Sequence, residues 1–195
     1  MDTTTDPDAL DRADMAHLVE GDDLALNRLM ARHTASVLRL LVYLVGNPDD
    51  ARELAQETFA RVYRARERYR PRERFQPWLF TIAANLGRNH LRWKSRHPAI
   101  SLDVEQGQNG HTLGDSLAAS DYDPRQAAVA ADRVRAVRAA VAELPVHMGQ
   151  ALTLCEWEDL PVAEAARVLR MTPKAVESLL YRARARLRER LRAWL

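Results

Sequence analysis

A single cysteine, Cys155, among 195 residues excludes an internal disulfide and fits a reducing compartment. No apolar run is long enough to span a bilayer, and no basic-then-apolar leader opens the chain. These two absences point to a soluble, cytoplasmic protein. Glycine is sparse, at seven residues, and runs of β-branched residues are few, which argues for helices over sheet. The glycines make no phosphate-cradling loop, and no Ser/His/Asp signature is present. The histidines (His17, His33, His90, His97, His111, His147) stand at no metal-ligand spacing with a carboxylate or with Cys155. The expectation is therefore no enzyme, no cofactor, no metal and no small-molecule substrate.

What the chain has is apolar content of 47%, enough for real cores, and charged content of 29%, which suits helices with wet faces. The formal net charge of +2 conceals a sorting of charge along the chain. Residues 1–23 hold eight acids against Arg12 alone. Residues 61–96 are strongly basic, with Glu67 and Glu73 as their only acids. The last fifteen residues add arginines at 182, 184, 186, 188, 190 and 192 against Glu189. Two separated basic blocks suit two contacts with a polyanion, or simply two solvated helices.

The periodicity predicts an all-α chain: two small helical domains joined by a flexible linker, the second a helix-turn-helix. Residues 1–15 read as an acidic tail, 16–96 as the first domain, 97–130 as the linker and 131–195 as the second domain. Asp22 opens a long helix, which "GNPDD" ends. A second helix starts near Asp49 and buries Ala51, Leu54, Ala55, Thr58, Phe59 and Val62. "RPRERFQP" is a basic loop. Pro77 suits a first helical position, and the helix after it buries Leu79, Ile82, Ala83, Leu86 and Trp93. From His97 to Tyr122 no apolar period survives among the Gly, Ser, Asn and Asp residues. Beyond it, Val134, Val137, Val141 and Leu144 line one helix. Met148, Ala151, Leu152 and Cys155 line the next, so Cys155 reads as core rather than as a thiol sensor.

"DLPVAEAARVLRMTPKAVESLLYRAR" carries the strongest local signal. A short helix, Val162 to Leu169, meets a turn, Arg170 to Thr172. Thr172 is a good N-cap and Pro173 a good first residue for the following helix. This is a helix-turn-helix. Val176, Leu180, Ala183, Leu187 and Leu191 make the buried stripe of its second helix. Lys174, Glu177, Ser178, Tyr181 and Arg182 fall on the open side, where such a helix enters the major groove. Glu177 would repel phosphate but can accept from a cytosine amino group. Pairing with Arg184 on the surface is the other reading.

Two segments in the first domain carry more. In "NPDDARELAQETFARVYR", Asp50, Glu53 and Glu57 form an acidic stripe that a basic protein surface could meet, or that Arg61 could merely neutralise. In "FQPWLFTIAANLGRNHLRWKSR", aromatic rings interleave with arginines and a lysine, a pattern suited to single-strand capture. Trp78 and Phe80 could equally be core.

Together and in this order, "DDARELAQETFARVY", "WLFTIAAN" and "LPVHMGQALTL…VAEAARVL…AVESLLYRARARL" resemble bacterial RNA polymerase sigma factors of the extracytoplasmic-function class. The resemblance covers region two (about 16–96) and region four (about 133–191). It implies that Asp50, Glu53, Gln56 and Glu57 dock on the clamp of the largest subunit of the polymerase core. It implies that the loop bearing Arg70, Arg72, Arg74 and Phe75, with Asn85, captures a flipped base of the −10 element. Trp78, Arg88 and Arg92 would support the strand junction there. Lys174, Glu177, Ser178, Tyr181 and Arg182 would read the −35 element, with region four seated on the β flap. Promoter DNA, core polymerase and an anti-sigma factor are the implied partners. The linker is similar in place to one that threads toward the polymerase active centre. A stand-alone dimeric helix-turn-helix regulator is the alternative function. The recognition helix departs from the family at Ala175, Glu177 and Leu179, which leaves the fold intact and alters the expected −35 sequence.

Overall fold

The computed structural model describes residues 7–97 and 124–194. It is helical, with no strand among the described residues. Helices α1 (Pro7–Glu20), α2 (Asp23–Val45), α3 (Pro48–Arg64) and α4 (Phe75–Arg96) make the first unit. Helices α5 (Pro124–Ala142), α6 (Val146–Leu152), α7 (Val162–Leu169) and α8 (Pro173–Arg190) make the second. Short 3₁₀ turns follow α3 (Arg66–Arg68) and α8 (Arg192–Trp194), and one wide π turn (Thr153–Trp157) extends α6. Among the described residues no helix is long and apolar enough to cross a membrane.

The helix ends follow local chemistry. The Asp22 carboxylate caps α2 by accepting from Leu24 N–H at 3.0 Å. Gly46, at φ +74°, closes α2 in the left-handed conformation that glycine adopts without steric cost. Asn47 then caps α3, accepting from the N–H groups of Asp49 and Asp50, with Pro48 as the first helical residue. The third long helix begins at Phe75, two residues before the expected Pro77. Pro77 is tolerated there because N–H groups in a first turn have no intrahelical acceptor.

The acidic N-terminus departs most from its reading as a tail. Pro7–Glu20 is a helix packed along α2. Its Met15 and Leu18 are fully buried, and Asp11 and Asp14 are buried beside them. The acids survive burial because α2 supplies cations. Arg32 donates to Asp11 at 2.9 Å and to Asp14 at 2.5 Å. Arg28 donates to Asp14 at 2.6 Å, and His33 Nε2 lies 2.8 Å from Asp11 Oδ2. Burial alone would raise the Asp14 pKa. The hydrogen bonds from Arg32 and Arg28 outweigh that and hold it below the ordinary carboxylate value. A depressed folded-state pKa stabilises the protein fully above the unfolded value, about 4. That stability is lost as pH falls through the folded pKa. Thermal melts should therefore lose stability below about pH 4, and Asp14→Asn should flatten the slope. Equal slopes for the two proteins would refute this role.

Other departures are smaller. Trp93 lies on the exposed end of α4, stacked on His97 with ring centroids 4.9 Å apart, rather than in the core. Val137 is exposed, whereas Val141 and Leu144 of the same stretch are buried. Of the expected linker, residues 98–123 lie outside the described residues, and residues 124–130 already belong to α5. Cys155 is half-buried against the core, and burial raises its thiol pKa, with Glu156 adding to the effect.

Buried side chains of the two units form one continuous core. Tyr43 of α2 lies against Gly149 of α6, where a Cβ on residue 149 would sit 2.5 Å from the ring. Arg39 of α2 donates to the buried carboxylate of Glu158 at 2.5 Å. Helix α4 packs across α7.

Candidate nucleic-acid and polymerase interfaces

The acidic face of α3 is only partly free. Asp50 Oδ2 lies 3.0 Å from His90 Nε2 and 3.4 Å from Lys94 Nζ. Glu57 accepts from Arg61 and Arg64, each at 2.9 Å. The Arg61 hydrogen bond, with the Arg64 charge beside it, holds the Glu57 carboxyl below its ordinary pKa. Glu53 and Gln56 are exposed. A basic partner would therefore meet Glu53 directly and compete with arginines for Glu57.

The basic loop, residues 69–74, is closed by Tyr69, whose hydroxyl donates to the Glu73 carbonyl at 2.7 Å. Burial pushes the Tyr69 pKa up to about 12. Behind the loop stands an aromatic cluster. Phe75 is 0% exposed, with its centroid 5.2 Å from His33, 6.1 Å from Tyr69 and 6.0 Å from Trp78. Phe75 thus cannot offer a face to a base, contrary to its expected role. Its bulk instead fills the space that fixes the loop. Arg70 and Arg72 are exposed, but Arg74 turns back to Asp8 of α1 at 2.6 Å and to Glu164 of α7 at 3.2 Å.

Asn85, one face along α4, accepts on Oδ1 from both Arg88 and Arg170, each at 2.8 Å. It borders a cavity of about 380 Å³ lined also by Arg61, Arg64, Ala65, Arg68 and Ile82. Those arginines lay in the basic block read from sequence, but nothing there marked them as facing Asn85. The cavity joins the end of α3 to the middle of α4, which no local pattern reveals. Arg88 also donates to the Val168 carbonyl at 3.2 Å. Its pKa is lowered by burial first and then by the charges of Arg170 and Arg92. Arg92 is exposed and bonds to Asn89.

The helix-turn-helix has the expected turn and start, but Leu187 and Leu191, at the far end of the expected stripe, are only partly buried, and Leu191 lies past the end of α8. The Thr172 side chain accepts from Ala175 N–H at 3.2 Å, and Pro173 starts α8. Val176, Leu179, Leu180 and Ala183 are buried. Lys174, Glu177, Ser178, Tyr181 and Arg182 are all exposed, Tyr181 to 76%. The Ser178 hydroxyl donates to the Lys174 carbonyl at 2.9 Å, and Arg182 Nε to the Ser178 carbonyl at 3.2 Å. Arg184 pairs with Glu156, so it does not neutralise Glu177. Among the described residues Glu177 has no ion-pair partner.

Comparison with known proteins gives these surfaces a context. The model for Sigma-70 region 2 matches residues 29–97, and that for Sigma-70, region 4 matches residues 134–187. The chain is 32% identical over 169 residues to the RNA polymerase sigma-H factor of Pseudomonas aeruginosa, covering 84% of each. It is 28% identical over 181 residues to the ECF RNA polymerase sigma-E factor of Haemophilus influenzae, covering 93% of this chain and 95% of that one. Two solved structures share the fold. CnrH in complex with the cytosolic domain of CnrY aligns at a TM-score of 0.60, with 24% identity, over 94% of this chain and 98% of that one. The sigma factor RpoE in complex with the anti-sigma factor NepR from Bartonella quintana aligns at 0.62, with 18% identity, over 85% and 96%.

Proposed function

The chain belongs to the sigma-70 family, in its extracytoplasmic-function class, and on that premise we propose how its surfaces divide the work of starting transcription. It is a sigma factor, which directs RNA polymerase core to promoters and promotes strand opening. A stand-alone dimeric regulator is disfavoured, because two family regions match in order across both units. That paired match is the observation that carries the reading.

The exposed face of α8 reads duplex DNA at the −35 element. Phosphate contacts from Lys174 and Arg182 position the helix, and base edges specify. The Asn85 cavity receives an unstacked base of the −10 element. Extrusion costs a few kcal/mol. Hydrogen bonds from Asn85 and the surrounding arginines offset that cost, with Trp78 backing the junction. Arg70, Arg72, Arg88 and Arg92 supply the salt-dependent affinity that phosphate neutralisation brings. Asp50, Glu53, Gln56 and Glu57 meet the polymerase clamp, and the second unit seats on the β flap. The polymerase supplies the chemistry, and this chain is no enzyme. Its work is cytoplasmic, where the polymerase is. An anti-sigma factor is a further partner, as for RpoE with NepR.

Run-off transcription with core polymerase on genomic fragments tests the reading. Discrete start sites should arise only when the chain and core are both present, and the free chain should footprint these promoters poorly. Equal, sequence-specific footprints with and without core would overturn it. The mapped promoters should carry a cytosine opposite the unpaired Glu177. Glu177→Arg should then shift preference at that position by roughly 1–3 kcal/mol. Unchanged preference would remove Glu177 from base reading.

A further inference from the structure

We propose that Asp8 of α1 is a positioning residue for the −10 contact: through Arg74 it braces the basic loop against α1 and keeps that arginine off the DNA. This rests on the −10 role given to the loop above.

The start of α4 lacks what three other helices have. Asp22, Asn47 and Thr172 cap α2, α3 and α8 with their own side chains. The N-cap of α4 is Arg74, whose side chain makes no cap hydrogen bond, and no acid stands in the first turn. A cation there faces the positive end of the helix dipole, where an anion is the favoured neighbour. Asp8 brings that anion from another helix. Its carboxylate accepts from Arg74 Nε at 2.6 Å. Asp8 also stands in the first turn of α1, so one carboxylate serves the starts of two helices.

The place of this pair gives it a role beyond packing. Arg74 ends the loop and opens the helix that carries Asn85. Loop and cavity therefore share one joint, and Asp8 fixes it. Helix α1 can act as the fixed wall. Its Met15 and Leu18 are fully buried, and Arg28 and Arg32 tie Asp14 and Asp11 to α2. The three arginines of the loop then divide. Arg70 and Arg72 are exposed and form no ion pair among the described residues, so phosphates can take them. Arg74 is half-buried and held by acids. Glu164 of the second unit shares it at 3.2 Å. Asp8 belongs to the first unit itself, so its hold accompanies the loop wherever that unit binds.

The test uses holoenzyme, the full chain with core, in a Glu164→Gln background. Asp8 is then the acid left on Arg74 among the described residues. The probe is a single-stranded 12-mer covering the non-template −10 segment of a start site mapped by run-off. A scrambled 12-mer is its control. Each phosphate neutralised on a single strand steepens the plot of log affinity against log salt by about 0.7. Asp8→Asn releases Arg74 toward the strand, so the slope should steepen by about 0.7. Preference for the −10 strand over the scrambled one should fall about threefold or more, because the loosened loop gains a phosphate contact that carries no sequence information. Adding Arg74→Gln to Asp8→Asn should return the slope, but not the preference, to its starting value. An ion pair that served stability alone would lower the melting temperature and move neither readout.

An unchanged slope in Asp8→Asn would overturn the brace. So would a steeper slope with the preference intact. A double variant with a slope flatter than the starting one would place Arg74 on a phosphate from the outset, which also overturns it. Failure of the −10 reading looks different. Arg72→Ala would then leave the slope alone, whereas a loop on the strand requires it to flatten by about 0.7.

Discussion

Phe75→Ala should destabilise the first unit by about 3–5 kcal/mol, the cost of removing a fully buried aromatic ring from a packed core. Domains of this size are held by only about 5–15 kcal/mol in total, so this is a large share of the stability. The ring has no exposed surface and sits among His33, Tyr69 and Trp78. His33 is also in the hydrogen-bonded network that anchors α1, so the cavity left behind adjoins buried charges. Urea unfolding of the variant should show the loss directly. Arg72→Ala, on the exposed rim of the same loop, should move stability by no more than about 0.5 kcal/mol. If Phe75→Ala kept parental stability and instead weakened only DNA binding, the ring would have to be a base-stacking group after all.

Asn85→Ala should leave the fold alone and cripple promoter opening. Asn85 is the one uncharged polar side chain among the cavity's arginines, and an amide side chain can both donate to and accept from a base edge. Removing it forfeits roughly 1–3 kcal/mol of base recognition, a drop of about 5- to 150-fold in open complexes at limiting polymerase. Permanganate reactivity of the melted strand measures this, alongside a pull-down showing unchanged association with core. The same substitution removes the acceptor for Arg170 and Arg88. In the free chain it therefore also removes a hydrogen bond between the two units, so the variant must be read with and without polymerase. Undiminished opening by the variant would take Asn85 out of the −10 site.

How far the sequence reached depends on the span of each interaction. The helix-turn-helix was legible because its signals are local. A capping Thr172, a leading Pro173 and an apolar stripe all fall within one short stretch. The junction at Asn47 and Pro48 was legible for the same reason. Helix α1 was not, because counting its acids hid Met15 and Leu18, and the cations that make its burial tolerable lie on the next helix. Phe75 was misassigned because aromatics interleaved with arginines look alike whether they face solvent or core. Trp93 erred the other way, since periodicity continues past the point where neighbouring helices stop covering it. The contact between units lies furthest from view. Asn85 and Arg170 stand 85 residues apart, and no period or cap connects them.

Arg170 has one more consequence. It takes a left-handed backbone conformation, φ +58°, at the end of α7. Glycine rests there without penalty, whereas a residue with a Cβ costs about 1–2 kcal/mol. The turn thus spends folding energy to keep a long cationic side chain where a hydrogen atom would suffice. A drift to glycine would make the DNA-reading fold sturdier and lose its hold on Asn85. Robustness of one unit and its tie to the other are set against each other at a single codon.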